Sequence, residues 1–236
     1  MRDMVLMRAL LICFCVLSLN SCVSPKPPTP EVPSSITTAS YPADLQGARL
    51  YKLSSKQSKL HILVYRAGAA AQLGHNHVVS SQTLSGYVWL HDSLTRSGFD
   101  IVMPVNELIV DEPGTRIAEG EDFPLNVSED GRVGTKRNML LPTALDGEHY
   151  PVIRLRSVGI AGDRAQPVVK VQITIKDQTR ELDVPVQLQT NARTLSAQGQ
   201  FEIKQTDFGL VPQSAILGTL LVQDALTIKF DLVAMQ

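Results

Sequence analysis

The chain has 236 residues, with 22 basic and 23 acidic side chains and a formal net charge of −1. That balance argues against a nucleic-acid surface and against strong electrostatic docking to acidic partners. Hydrophobic residues make up 44% of the chain, enough for a core to hold a domain together.

Arg2 and Arg8 flank Met4 to Met7, and Leu10 to Leu19 is almost continuously apolar. This is the charged start and short apolar run of a secretory signal, too short for a membrane span. Leu19-Asn20-Ser21-Cys22 is similar to a bacterial lipoprotein box. The resemblance implies that residues 1–21 are a removed signal peptide and that Cys22 is lipidated. More than one acyl chain gives stable anchoring, at about 0.8 kcal/mol per buried methylene. Val23 follows where an aspartate would favour inner-membrane retention, so the expected location is the outer membrane, facing the periplasm. The other reading is a secreted protein with an unpaired Cys22. Cys13 and Cys15 leave with the signal, so the mature domain has no thiol for a disulfide, metal site or nucleophile.

Residues 22–44 contain six prolines between Val23 and Pro42, among Ser, Thr, Lys and Glu, and read as an extended tether. Residues 45–236 remain as one domain. Here the dominant signal is alternation with a period of two. It runs through Leu60-Ile62-Val64, Leu84-Val88-Leu90, Val169-Val171-Ile173-Ile175, Leu182-Val184-Val186-Leu188, Phe201-Ile203 and Leu226-Ile228-Phe230-Leu232. Successive side chains of a strand face opposite sides, so each run is a strand with one dry face. Asp177-Gln178-Thr179-Arg180 is a short polar connection between two such strands and predicts a hairpin. Many half-buried antiparallel strands make an all-β sandwich or a closed barrel. Tyr87 and Trp89 share one face of their strand and read as packing.

Residues Asp111 to Tyr150 break the pattern. Ser128 can cap a short helix reaching Leu141, which Pro142 would stop, while Gly131 and Gly134 weaken it. An insertion of this kind is a lid or end-plug over a cavity. Its Glu119, Glu121 and Asp122 read as a solvated acidic loop.

His75 and His77 would share a face of an extended segment, with α-carbons roughly 6.5–7 Å apart. Two imidazoles so placed can share a metal ion or ligate haem, given a third ligand from His61, His91, His149 or a carboxylate. The alternative is that Gly74 marks a turn or bulge and the histidines hydrogen-bond backbone near a rim. No Gly-x-Ser-x-Gly elbow or phosphate-cradling glycine loop occurs, and Asp207-Phe208-Gly209 reads as a strand-end turn. The chain is not expected to be an enzyme.

Three blocks carry a family resemblance. They are Arg137-Asn138-Met139-Leu140-Leu141 with Leu145 to Ile153, then Ile173 to Arg180, then Gly199 to Ile203 leading to Thr206-Asp207-Phe208-Gly209-Leu210. In this order and spacing, followed by a last alternating strand, they resemble the YceI-like family of bacterial envelope proteins. The resemblance implies an antiparallel lipocalin-like β-barrel of about eight strands with a short helical insertion. It also implies a bound polyisoprenoid, quinone or fatty-acid-like lipid. No cofactor is expected to be required, and the sequence leaves open whether the protein forms a homodimer. The sequence departs from the family pattern at Tyr65 to Val79 and at Arg137 to Leu141, which marks a divergent branch. Ile62, Val64, Val171, Ile173, Ile228 and Phe230 are the expected lumen contacts. The same faces could instead fill a solid core, which would make the protein a structural or adaptor barrel acting through a partner.

Overall fold

The computed structural model describes residues 37–236. Six strands come first: β1 (Ala48–Leu53), β2 (Lys59–Ala67), β3 (His77–Ser80), β4 (Ser85–His91), β5 (Gly98–Pro104) and β6 (Ile109–Val110). Two helices follow, α1 (Pro113–Glu119) and α2 (Glu129–Met139). The second half contributes β7 (Val152–Gly162), β8 (Pro167–Ile175), β9 (Gln178–Pro185), β10 (Gln187–Thr190), β11 (Thr194–Lys204), β12 (Ser214–Ala215) and β13 (Leu220–Met235). All thirteen strands belong to one sheet, in the order β6-β3-β2-β13-β1-β4-β5-β7-β8-β9. From β13 the sheet also branches to β12 and, through β11, to β10. Among the described residues every ladder is antiparallel, so the all-β antiparallel class read from the alternation is what forms.

The barrel is a separate matter. Among the described residues no ladder joins β9 to β6 or to β11, so hydrogen bonds do not close the sheet into the barrel that the family resemblance implies.

The spine is the sixteen-residue β13, whose last eleven residues pair along one edge with β11, from Thr194↔Met235 to Lys204↔Ala225. Its other edge is shared by β2, from Leu221↔Ala67 to Asp231↔Lys59, and by β1 at Lys52↔Met235. The register shifts between Val222 and Leu226, a bulge that bends the strand.

Alternation decides which face is dry. Along β8, Val169, Val171, Ile173 and Ile175 are buried, and they meet Ile101, Met103, Val184, Phe208 and Ile228 in one core. A second layer lies outside the sheet. There α1 and the chain after it cover Leu63 and Val78 with Phe123, and Tyr65 packs against the same group. The far end of the expected tether also lies on the outer face. Ser40 donates its N–H and hydroxyl to Asp100 at 3.0 Å, and Tyr41 packs edge-on to Tyr87.

Local chemistry sharpens three expectations. The hairpin between β8 and β9 turns on Lys176-Asp177 alone, with Lys176 at φ 55°, and Gln178, Thr179 and Arg180 already belong to β9. Helix α2 starts where predicted, with the Ser128 hydroxyl accepting the Gly131 N–H at 3.1 Å, and ends at Met139, two residues short of Leu141. Glu119 is not a solvated loop residue. It closes α1 with its side chain 6% exposed, accepting from His61 at 2.7 Å and Lys229 at 2.6 Å, while Glu121 and Asp122 are exposed.

Candidate functional site

The interior is not filled. Two cavities lie along the core, one of about 450 Å³ and one of about 120 Å³. The first is of ligand size by itself, since ligand pockets run from roughly 300 to 1,000 Å³. The second is too small for that role alone.

Strand direction stacks them. On β2, Leu60 faces the smaller cavity and Ile62 and Val64 the larger. On β11 the division falls between Phe201 and Ile203, and on β13 between Phe230 and Ile228. On β8, Val169 and Val171 line the smaller cavity and Ile175 the larger, with Ile173 between them at 2% exposure. Of the expected lumen contacts, then, Ile62, Val64 and Ile228 border the larger cavity and Val171 and Phe230 the smaller. Ile173 belongs to the packed layer between the two.

Polarity is graded along this axis. The smaller cavity is walled by apolar groups with Ser97 as its polar lining residue. Tyr51 packs beneath it with Leu90, Leu195 and Ala234. The larger cavity carries Arg66, His75, His77, Thr135, Asn138, Gln205 and Gln213 beside its aliphatic walls. Helix α2 supplies Gly131, Thr135 and Asn138, one face of the helix, so the irregular segment does cover a cavity. Lys136 fastens the helix by donating to the carbonyls of Asn106, at 2.8 Å, and Leu108. Burial lowers the pKa of that ammonium.

His75 and His77 both border the larger cavity, with ring centroids 6.5 Å apart. The named third ligands lie elsewhere: His61 pairs with Glu119, His149 with Asp146 at 2.8 Å, and His91 accepts the Ser93 N–H. Among the described residues no group of three His, Cys, Asp or Glu is placed to hold a metal. His77 instead donates its Nδ1–H to Asp111 Oδ2 at 2.6 Å. Asp111, fully buried at φ 54°, also accepts the Val78 N–H at 2.9 Å and a hydrogen bond from Arg116. Burial would raise this carboxyl, but the bonds from His77, Val78 and Arg116 outweigh it and hold the group below the usual carboxylate range. Arg116 is itself anchored by the Asn76 and Pro124 carbonyls. The cluster fixes the ring of His77 at the cavity wall.

Sequence reasoning missed Asp111 and Arg116 because their partners are set by tertiary contact. The one local hint is Asp111 itself, an Asp ahead of Glu112-Pro113, since the short Asp side chain tolerates the left-handed backbone that a turn needs. Cys22 lies outside the described residues.

These features define a class: an antiparallel β protein that wraps an apolar, polarity-graded interior. The family is shown directly, because the model of the YceI-like domain matches residues 51–234, and the chain belongs to that family. The structure is similar to that of BcnA from Burkholderia cenocepacia, at 18% identity and a TM-score of 0.57, covering 77% of this chain and 98% of that one. It is also similar to a cysteine variant of the Campylobacter jejuni YceI protein, at 8% identity and a TM-score of 0.50, covering 67% and 84%. At such identities these likenesses show the fold alone. No curated protein matches the sequence.

Proposed function

We propose that this protein is a non-enzymatic carrier of a long-chain apolar lipid, anchored through Cys22 to the outer membrane and facing the periplasm. The observation that carries the reading is the cavity of about 450 Å³, apolar along its walls and polar at one end, with a chamber lined almost entirely by apolar residues stacked beyond it. Such a gradient suits an amphiphile whose chain points toward the smaller chamber and whose polar end stays near His75, His77 and Asn138. The open interior disfavours a filled-core adaptor. Membership of the YceI-like family, whose proteins bind hydrophobic chains such as polyisoprenoids, supports the same reading.

In this reading the sheet works as a barrel. The chain passes from β9 to β10 across Val186, whose N–H is taken by Pro167 O at 2.9 Å, and β10 then pairs with β11. A Cβ on Gly199 of β11 would fall 2.8 Å from the Pro185 carbonyl, so the wall is tight where its ladder is interrupted. Affinity would come from burial, at about 0.8 kcal/mol per methylene.

Native mass spectrometry of the protein isolated from a bacterial envelope tests this. The expected result is a noncovalent excess mass, lost on organic extraction and recovered as a lipid, and largely absent from Ile62→Arg. A bare polypeptide mass, or an excess of one metal ion, would overturn it.

A further inference from the structure

One lip of the larger cavity is built from two loops that themselves contain no charged residue, the nearest cation being Arg66 at the end of β2, which donates to the Gly74 carbonyl. The loops are residues 68–74, Gly-Ala-Ala-Ala-Gln-Leu-Gly, and residues 211–221, Val-Pro-Gln-Ser-Ala-Ile-Leu-Gly-Thr-Leu-Leu. In a chain where 19% of residues are charged, eighteen exposed or rim positions without one is a departure from ordinary surface chemistry. The turns at the far end of the sheet differ. Asp92 and Arg96, Asp163 and Arg164, and Asn191 and Arg193 occupy them.

The lip also displays large apolar side chains. Leu73, Val211 and Ile216 are more than half exposed and Leu217 is fully exposed. Ile216 and Leu217 hold φ of 51° and 54°, ahead of Gly218 at 82°. A left-handed tip calls for Gly, Asn or Asp, and a β-branched residue there is strained. Nothing inside the molecule compensates, because neither side chain packs into the core. The tip is nevertheless held firmly. Ala70 donates to the Thr219 carbonyl at 2.9 Å and the Thr219 hydroxyl donates to the Ile216 carbonyl at 2.7 Å. Ser214↔Leu221 and Ala215↔Leu220 pair below it. Two loops are thus stapled together to present Leu73, Ile216 and Leu217 beside the mouth.

The path of residues 40–46 runs the same way. Arg96 donates to Gln46 at the far end, Tyr41 lies on Tyr87, and Ser40 meets Asp100, whose partner Arg154 adjoins the cavity-lining Ile153. Traced toward its beginning, the chain therefore climbs the outer face toward the wide end. Residues 23–36 separate Cys22 from this segment, a stretch spanning at most about 50 Å.

We infer that this uncharged lip docks on a lipid bilayer, with Leu73, Ile216 and Leu217 entering the interface so that a chain can pass between membrane and cavity without crossing water. The inference rests on the carrier reading for its purpose, but its geometry can be tested alone. The chain has a single tryptophan, Trp89, so Trp89→Phe clears the background. Leu217→Trp or Leu73→Trp then reports the lip, and Val168→Trp, also exposed, reports the far end. The full chain is reconstituted on phosphatidylethanolamine/phosphatidylglycerol vesicles carrying brominated acyl chains. Both lip tryptophans should shift to the blue and lose at least half their emission, roughly the response of an aromatic ring at the interface, while the far-end reporter stays unquenched. Equal responses at the two ends would overturn the proposal. So would a blue shift that needs no vesicles and grows with protein concentration, which would assign the lip to a second copy. Quenching without cargo in the mass spectrum would leave docking standing and remove the carrier reading; cargo without quenching would do the reverse.

Discussion

Asp100 is fully buried on β5, where it accepts hydrogen bonds from Arg154 and from the N–H and hydroxyl of Ser40. Burial would raise this carboxyl, but Arg154 and Ser40 outweigh it and hold it below the usual range. Asp100→Asn keeps the shape and removes the charge. We expect it to cost about 2–3 kcal/mol in urea unfolding, less than a fully buried pair because water still reaches Arg154. The sign with pH follows. A carboxyl held below its unfolded value of ~3.9 binds fewer protons when folded, so its contribution is complete above that value and is lost as pH falls through the folded pKa. Asp111 and Glu119 are lowered in the same direction. Unfolding midpoints should therefore drop as pH falls below about 4, with a smaller drop for Asp100→Asn; parallel acid limbs would show that Asp100 is not a source of the loss. None of these pairings was legible in the sequence. Asp100 to Arg154, His77 to Asp111 and Glu119 to Lys229 are separated by 54, 34 and 110 residues, and a charge at such distance leaves no periodic trace.

At the scale of elements, legibility followed the number of covered faces. Strand β8 announced itself because one face is dry and the other wet. Strand β5 did not, since Asp100, Ile101, Val102 and Met103 are buried in succession, with core on one side and the Ser40 segment on the other. Such a strand loses its alternation. Helix α2 was legible from its cap, and its weakness is legible too. An added Cβ on Gly134 meets nothing within 4 Å, whereas one on Gly131 would approach Ser128 Oγ at 3.2 Å. Gly134→Ala should therefore stabilise the helix by about 0.5–1 kcal/mol. Thermal unfolding should rise by about 1–4 °C, and Gly131→Ala should yield less. A lowered melting temperature for Gly134→Ala would mean that the helix is strained in a way its cap and spacing do not reveal.

For the whole molecule the decisive property is the direction of polarity along the sheet. Apolar alternation specified dry faces, yet it could not say whether they meet or stand apart, because a filled tube and an empty one need the same residues. The difference lies in side-chain volume at a few positions. Ala197 is one of them, a small residue lining the chamber of about 120 Å³ among Leu188, Leu195 and Phe230. Replacing it with phenylalanine would occupy much of that chamber and leave the larger cavity untouched. If the chamber receives the end of the bound chain, Ala197→Phe should shift the co-purified lipids toward shorter species and retain binding, while Val168→Phe, on the exposed face of β8, should leave the distribution as it was. The overpacking penalty of about 1–3 kcal/mol is tolerable for a domain of this size and can be measured separately by urea unfolding. An unchanged lipid profile in a folded Ala197→Phe protein would confine the ligand to the larger cavity, and the layer around Ile173 would then be the floor of the site.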